Sequence, residues 1–472
     1  MVEDQLMKSA TCQPKGSKPV GWPWKTFVPS FAPIRVIGGL LLSLLALSLH
    51  ASDILPATKQ SAPVAIVGAT VHPVSSEPIT NGVIVLRDGK IAAVGADVAI
   101  PDNATIIKAK GRHVYPSLID SFSNMGLVEI NSIRATRDFA EVGEINPNAK
   151  AQIAVNPDSE IIPVTRSNGV LLAHSVPSSG IISGQSALLQ LDGWTWEDLT
   201  VASPVAMHVQ WPNMSPVQAW WEEKSNKEQI AQRDQQLKKI EQAFADARAY
   251  QQARKAEGSQ HPFDSRWEAM LPVLHGELPL LVSANSVQQI QSAVAFAVRQ
   301  KVRIIIYGGF DAPRCAALLK KHDVAVILSA VYRLPHRRHE AYDAAYTLPE
   351  RLRTAGVKYC IGGGARFGAS NVRNLPYHAA TASAYGLPRD EALKSITLYP
   401  AEIFGASKRV GSLEAGKDAT LFIADGDPLE TSTNIEAAFV QGRKIDLDNK
   451  HKRLWRKYRQ RYEQLEAAEA AE

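Results

Sequence analysis

Cysteine is scarce in this chain: Cys12, Cys315 and Cys360 are the only three in 472 residues. That excludes a disulfide framework as the source of stability. Cys315, early in a predicted helix, and Cys360, in a predicted strand, read as buried unpaired thiols. A membrane-length apolar run is missing as well, because the uncharged stretch VIGGLLLSLLALSL, residues 36–49, falls short of the about 20 residues a span requires. Charge imbalance is small. Residues 1–51 carry five Lys and Arg against Glu3 and Asp4, so of the formal +5 only about +2 remains for the rest, too little to argue for nucleic acid or an anionic membrane. No internal repeat is visible.

What is present is enough apolar residue to bury a large core: 45% of the chain is hydrophobic, and the length allows one large domain plus a smaller one. Residues 1–51 read as a secretory signal peptide with a long basic leader, cut near Ala51, which places the protein outside the cytoplasm, in the periplasm. An uncleaved anchor is the alternative. After cleavage no stable span is expected.

Residues 52–63 form a polar linker punctuated by Pro. Strand signals follow from Val64 to Val71 and from Gly82 to Val94, with Asp88-Gly89 as the turn of a hairpin. A second set of strands stands far away, at residues 418–424 and 435–440. A lone hairpin cannot bury its apolar face, so residues 64–115 and 405–447 are expected to join as one composite β-sandwich. Between them, residues 116–404 alternate strand and helix as a parallel (β/α)8 barrel does: strands at 169–174, 201–209, 278–284, 302–307, 324–328 and 357–361, with helices such as 286–300 and 312–322. Residues 175–193 look like a hairpin excursion beside strand two. A charged helical insertion fills much of 211–260, roughly residues 215–255, with Trp220 and Trp221 expected to pack on the barrel. Residues 448–472 read as a charged terminal helix, solvated on one side, with Leu454, Trp455 and Tyr458 on its buried side.

The stretch VYPSLIDSFSNMGLVEI, residues 114–130, resembles the strand-one signature of the amidohydrolase superfamily, Pro-Gly-Leu-Ile-Asp-x-His-x-His. Pro116, Leu118, Ile119 and Asp120 keep its frame. The blocks ALKSITLYPAEIFG and VGSLEAGKDATLFIADGDPLE are similar to the family's C-terminal signature, in its imidazolonepropionase-like branch, with Thr420 where the family usually has Asp. The resemblance covers residues 64–447. It implies a TIM-type α/β barrel, hydrolysis of carbon–nitrogen bonds in non-peptide or cyclic amides, and a zinc or other divalent metal.

It also implies where the metal ligands belong, and those positions are substituted. Phe122 and Asn124 stand where the two His of strand one belong, Ser283 where strand five brings a His, Tyr307 where strand six does, and Gly364 in place of the strand-eight Asp. Phe has no lone pair, and a neutral amide is a poor zinc ligand. A metal takes the pKa of bound water from 15.7 to about 7, on the order of 12 kcal/mol of nucleophile activation as an upper bound, and none of these side chains supplies it. The expectation is therefore a catalytically impaired member that needs no cofactor and acts as a binding module for a small amide-like ligand, or as a partner subunit of an active relative or of itself. The alternative is a working exported hydrolase with a relocated metal or a metal-free acid and base. For a relocated metal the candidates are His336 and His339, an i, i+3 pair, with Asp343 four residues on.

Overall fold

Asp88 and Gly89 both take positive φ, 52° and 78°, as a two-residue hairpin turn requires. They join β2 (Ile79–Arg87) to β3 (Lys90–Gly95), and β1 (Val64–Val71) pairs antiparallel with β2. The protein is seen in a computed structural model that describes residues 55–363 and 368–470. The signal-peptide expectation, Cys12 and Gly364 lie outside them.

β4 (Thr105–Lys108) and β5 (His113–Pro116) lie parallel to β1. At Ser117 the chain changes sheets. Its N–H donates to the Thr420 carbonyl (3.1 Å) and its hydroxyl to the Leu118 carbonyl (2.7 Å), so the apolar run from Val114 to Ile119 is two strands, and β6 (Leu118–Ser123) opens the barrel.

β7 (Val170–Ser175) runs parallel to β6. β8 (Ile182–Gln185) and β9 (Ala187–Gln190) are one strand interrupted at Ser186, and β10 (Thr200–Ala202) pairs with β9. β11 (Met207–Gln210), β12 (Leu280–Ala284), β13 (Ile304–Gly308), β14 (Ala325–Leu328) and β15 (Tyr359–Ile361) follow as one parallel run. The third strand departs from the expected eight parallel strands. β9 is antiparallel to β7 and β8 is antiparallel to β11, so the third position is filled by a chain running the opposite way. Its physical reason is the short connection at 176–181, which permits a turn back but not a crossover helix.

Nor does the ring close by a ladder, since the described strands fall into two sheets, β10-β9-β7-β6 and β15-β14-β13-β12-β11-β8. At the seam the Ser121 hydroxyl donates to the Ile361 carbonyl (3.1 Å) and the Gly363 N–H to Asp120 Oδ1 (2.8 Å). The Ile119 and Ile361 N–H groups donate instead to the carbonyls of Ile396 and Ser395, which wedge between the two strands.

β16 (Leu421–Ala424), β17 (Ile435–Val440) and β18 (Arg443–Ile445) return to the first sheet. Both chain ends meet there in one eight-stranded sheet, β18-β17-β16-β5-β1-β2-β3 with β4 on β1, in place of two stacked sheets. The sheet rolls: the Ile91 N–H reaches the Lys417 carbonyl and the Ala419 N–H the Gly89 carbonyl, both at 2.9 Å. A rolled sheet covers its own apolar face, and Ile66, Ile84, Leu86, Ile91, Leu421 and Phe439 are buried inside it.

Three helical expectations change. The long insertion helix is Asn226–Glu257, because the Ser225 hydroxyl and Glu228 form a capping box that fixes its start ten residues later than expected. It buries Ile240, Ala243, Phe244, Ala247 and Tyr250, one stripe at helical spacing. Trp220 and Trp221 lie before it, 93% and 65% exposed, and do not pack on the barrel. The terminal helix is Lys450–Glu469, and it buries none of its residues, Leu454, Trp455 and Tyr458 included.

Gly184 in the reversed strand sits at φ 125°, and a Cβ there would meet the Ala149 carbonyl oxygen at 2.6 Å. Gly184→Ala is expected to lower stability by about 2 kcal/mol or more, read as the urea midpoint; an unchanged midpoint would show that this backbone can relax.

Candidate functional site

Strand pairing aligns Gln210, Ser283, Tyr307, Ile327 and Cys360 at one level near the C-terminal ends of β11 to β15. Active sites of such barrels lie at this end. From the other side of the seam, β6 brings Phe122 into the same layer. Its ring lies flat on that of Tyr307, centroids 3.5 Å apart and planes within 9°. Two strand ends expected to carry metal ligands are thus joined through aromatic faces.

Asn124, just past β6, is turned to structural use: its amide donates to the Val176 carbonyl (2.7 Å) and the Ser178 hydroxyl (3.1 Å). Ser283 is half-buried beside Tyr307. The structure therefore brings Phe122, Tyr307 and Ser283 into one layer and uses Asn124 as a strap between loops.

Beneath them lie two imidazoles that the sequence did not single out as a pair. His174 of β7 is fully buried, bonded through Nδ1 to the Ser121 carbonyl (2.9 Å) and through Nε2 to the Ser186 hydroxyl (2.7 Å). His208 of β11 is 5.8 Å from it between ring centroids and 5.9 Å from Phe122, and its Nε2 is buried without a partner. Burial pulls His174 down to about 4, and burial with the neighbouring His174 pulls His208 well below the usual imidazole value. Both are neutral at physiological pH. Their signal in sequence was a His inside an otherwise apolar strand, which more often marks a buried polar residue than a ligand.

Asp120 is the one carboxylate of this layer. It is fully buried, Oδ1 accepts from Gly363, and Oδ2 has no partner. Burial pushes it up to about 6, against the hydrogen bonds from Gly363 and Ser123. Cys360 is pushed up to about 12 by burial.

The relocated-metal candidates do not converge. Residues 336–343 form turns instead of the expected helix face, His336 and His339 are exposed, and the His336 N–H donates to Glu340 (2.7 Å). What the same loop does carry is an ion pair missed in the sequence: Arg337 grips Asp311 in two bonds, 2.9 and 2.6 Å, and reaches Glu340 at 2.8 Å. Arg337 and Val287 hold the Asp311 carboxyl below the usual carboxylate range in spite of its burial. Beside them Arg333 lies 3.8 Å over the Phe310 ring. No spacing pattern links residues 26 positions apart.

The profile of the amidohydrolase family matches residues 348–445. The fold is similar to the solved amidohydrolase of Thermotoga maritima MSB8, with a TM-score of 0.71 at 22% identity, over 81% of this chain and 99% of that one. The chain is therefore similar to the amidohydrolase family over residues 348–445 and shares the fold of a solved amidohydrolase. The chain is also 22% identical over 403 residues to the amidohydrolase tasK of Hapsidospora irregularis. It covers about two fifths of that relative, 39% of its length against 77% of its own.

One finding bears on the cofactor. The match to the amidohydrolase family is that finding, since the resemblance to that family implies a zinc or other divalent metal. The expectation that no cofactor is needed is withdrawn. Where a metal would sit here is a separate matter. Among the described residues no three His, Cys, Asp or Glu group to hold an ion, and the strand-end layer offers a phenyl, a phenol, a hydroxyl and a buried thiol. This donor set does not fit the metal centre of the family.

Proposed function

We propose that this protein is an amidohydrolase-superfamily member impaired in the superfamily's hydrolysis and serves to bind a small amide-like ligand at its barrel mouth, alone or as the partner of an active relative. The observation that carries this reading is the Phe122–Tyr307 stack. Two aromatic rings in van der Waals contact leave no room between them for a hydroxide and its ligands, and neither ring accepts a proton from water.

The rest of the layer agrees. Asp120 has the pKa of a general base, about 6, but it is fully buried and tied to Gly363. A base must come within about 2.6–3.2 Å of the proton it takes. What the layer does offer is a half-buried hydroxyl on Ser283 and aromatic faces, features suited to holding a planar amide.

The test is turnover of cyclic amides, ureides and N-acyl dipeptides by purified protein in buffer with added zinc or manganese, beside thermal shifts with the same compounds. Rates at the buffer blank together with a raised melting temperature for one compound class are expected. Metal-dependent turnover above the blank would sink the proposal.

A further inference from the structure

The helix Lys450–Glu469 is capped by Asn449 and, among the described residues, tied to the body near its start, where Arg453 meets Glu160 (3.5 Å), Arg373 meets His451 (2.8 Å) and Arg456 meets Asp448 (2.6 Å). None of its residues is buried. Most helical stability in a protein comes from packing an amphipathic face, yet this helix exposes five large apolar side chains. Trp455 is 61% exposed, Tyr462 58%, and Leu454, Tyr458 and Leu465 between 41% and 49%. At 100° per residue these five fall within one arc of about 100°. The helix is amphipathic with its apolar face uncovered.

We infer that this face seats on an anionic phospholipid surface, with the barrel held outside it. Charge complementarity decides the occupant. Residues 450–461 contain seven Lys and Arg and no acid, so a local basic stretch exists that the near-neutral balance of the whole chain conceals. Of these, Lys450, Lys457 and Arg461 have no ion-pair partner among the described residues. Arg461 and Lys450 border the apolar arc on one side, and Lys452 and Arg459 on the other. That is where headgroup phosphates meet a helix lying in the interface, and Trp and Tyr are the aromatic residues favoured at that depth. The acids Glu463, Glu466 and Glu469 fall in the last two turns, away from the basic half.

A second copy fits less well. Antiparallel pairing that set Trp455 against Leu465 and Tyr458 against Tyr462 would be centred on Gln460. It would then bring Arg459 and Arg461 of both copies together at the middle. Among the described residues no helix is long and apolar enough to cross a membrane.

The experiment is co-sedimentation of the full chain with vesicles of phosphatidylcholine alone and of phosphatidylcholine with phosphatidylglycerol. The apolar run at 36–49 is common to every variant, so the readout is the preference for the anionic vesicles. Each cation near an anionic surface is worth about fivefold in binding, so Lys450→Gln, Lys457→Gln and Arg461→Gln combined are expected to cut that preference about 100-fold. Raising the salt concentration is expected to do the same. Trp455→Ser with Tyr458→Ser is expected to weaken anionic binding at unchanged charge, and circular dichroism checks that the barrel is intact. Equal preference in wild type and the triple variant overturns the inference. So does a concentration-dependent dimer that Trp455→Ser disperses in the absence of any vesicle preference, which would assign the face to a second copy.

Discussion

Acidification from pH 7 to pH 4 is expected to destabilise the protein by several kcal/mol, driven by His174, His208 and His378. His174 and His378 are each drawn from 6.5 to about 4 by burial, and His208 further in the same direction. Their bonds explain why protonation is resisted. His378 Nδ1 accepts from the Val331 and Tyr332 N–H groups (3.2 and 3.3 Å), which needs a free lone pair. Below pH 6.5 the unfolded chain takes up protons that the folded one refuses until about pH 4, so stability falls as pH drops through this window. Each is worth roughly 3 kcal/mol by pH 4, so His174 and His378 together remove about 6 kcal/mol, with His208 adding to it.

Asp120 opposes them. Its folded value, about 6, lies above the usual 3.8, so it contributes stability below pH 4 that is lost as pH rises through 6. That returns about 3 kcal/mol on acidification. The balance is still a loss of several kcal/mol against a typical total of about 5–15 kcal/mol. Urea midpoints measured from pH 7.5 to 4 check this, and a flat profile between 6.5 and 4.5 would refute it. His378→Gln, which keeps an acceptor without a titrating group, is expected to shallow the slope.

Asp192→Ala is expected to cost about 3–5 kcal/mol, the second large effect. Asp192 and Arg166 are almost sealed from solvent, their side chains 1% and 4% exposed, and they meet at 2.8 Å. Arg443 approaches the same carboxylate at 3.5 Å and donates to the Asp192 carbonyl at 3.1 Å, while the Ala57 N–H donates to Oδ2 at 3.2 Å. One carboxylate thus fastens the entering chain, the helix Ile161–Arg166, the end of β9 and β18. Its removal strands the Arg166 charge, whose Nε already lacks a partner. The double variant Asp192→Ala, Arg166→Met is expected to recover part of the loss. A single-variant cost below about 1 kcal/mol would show that water reaches the site.

Much of the fold was legible because its signals are local. Asp88-Gly89 forces a hairpin, and short apolar runs such as Ile304–Gly308 separated by helices force a parallel sheet. The direction of β8 and β9 was harder to read, since a fully buried strand is apolar on both faces and carries no sign of its orientation. The substitutions at the metal positions were readable one by one. Their consequence was not, because Phe122 and Tyr307 are 185 residues apart and stacking is a property of the assembled layer. Likewise an amphipathic pattern marks which side of the terminal helix is apolar, but not whether anything covers it.

The reversed third strand also bears on how the molecule assembles. Leu172 pairs with Gln190 and Gln185 with Met207, separations of about twenty residues, whereas a parallel neighbour needs a crossover of its own. Loop closure over such short distances costs little entropy and proceeds quickly. This quarter of the barrel can therefore pair as an autonomous meander while the long-range strands are still searching, and offers them a template on which to add.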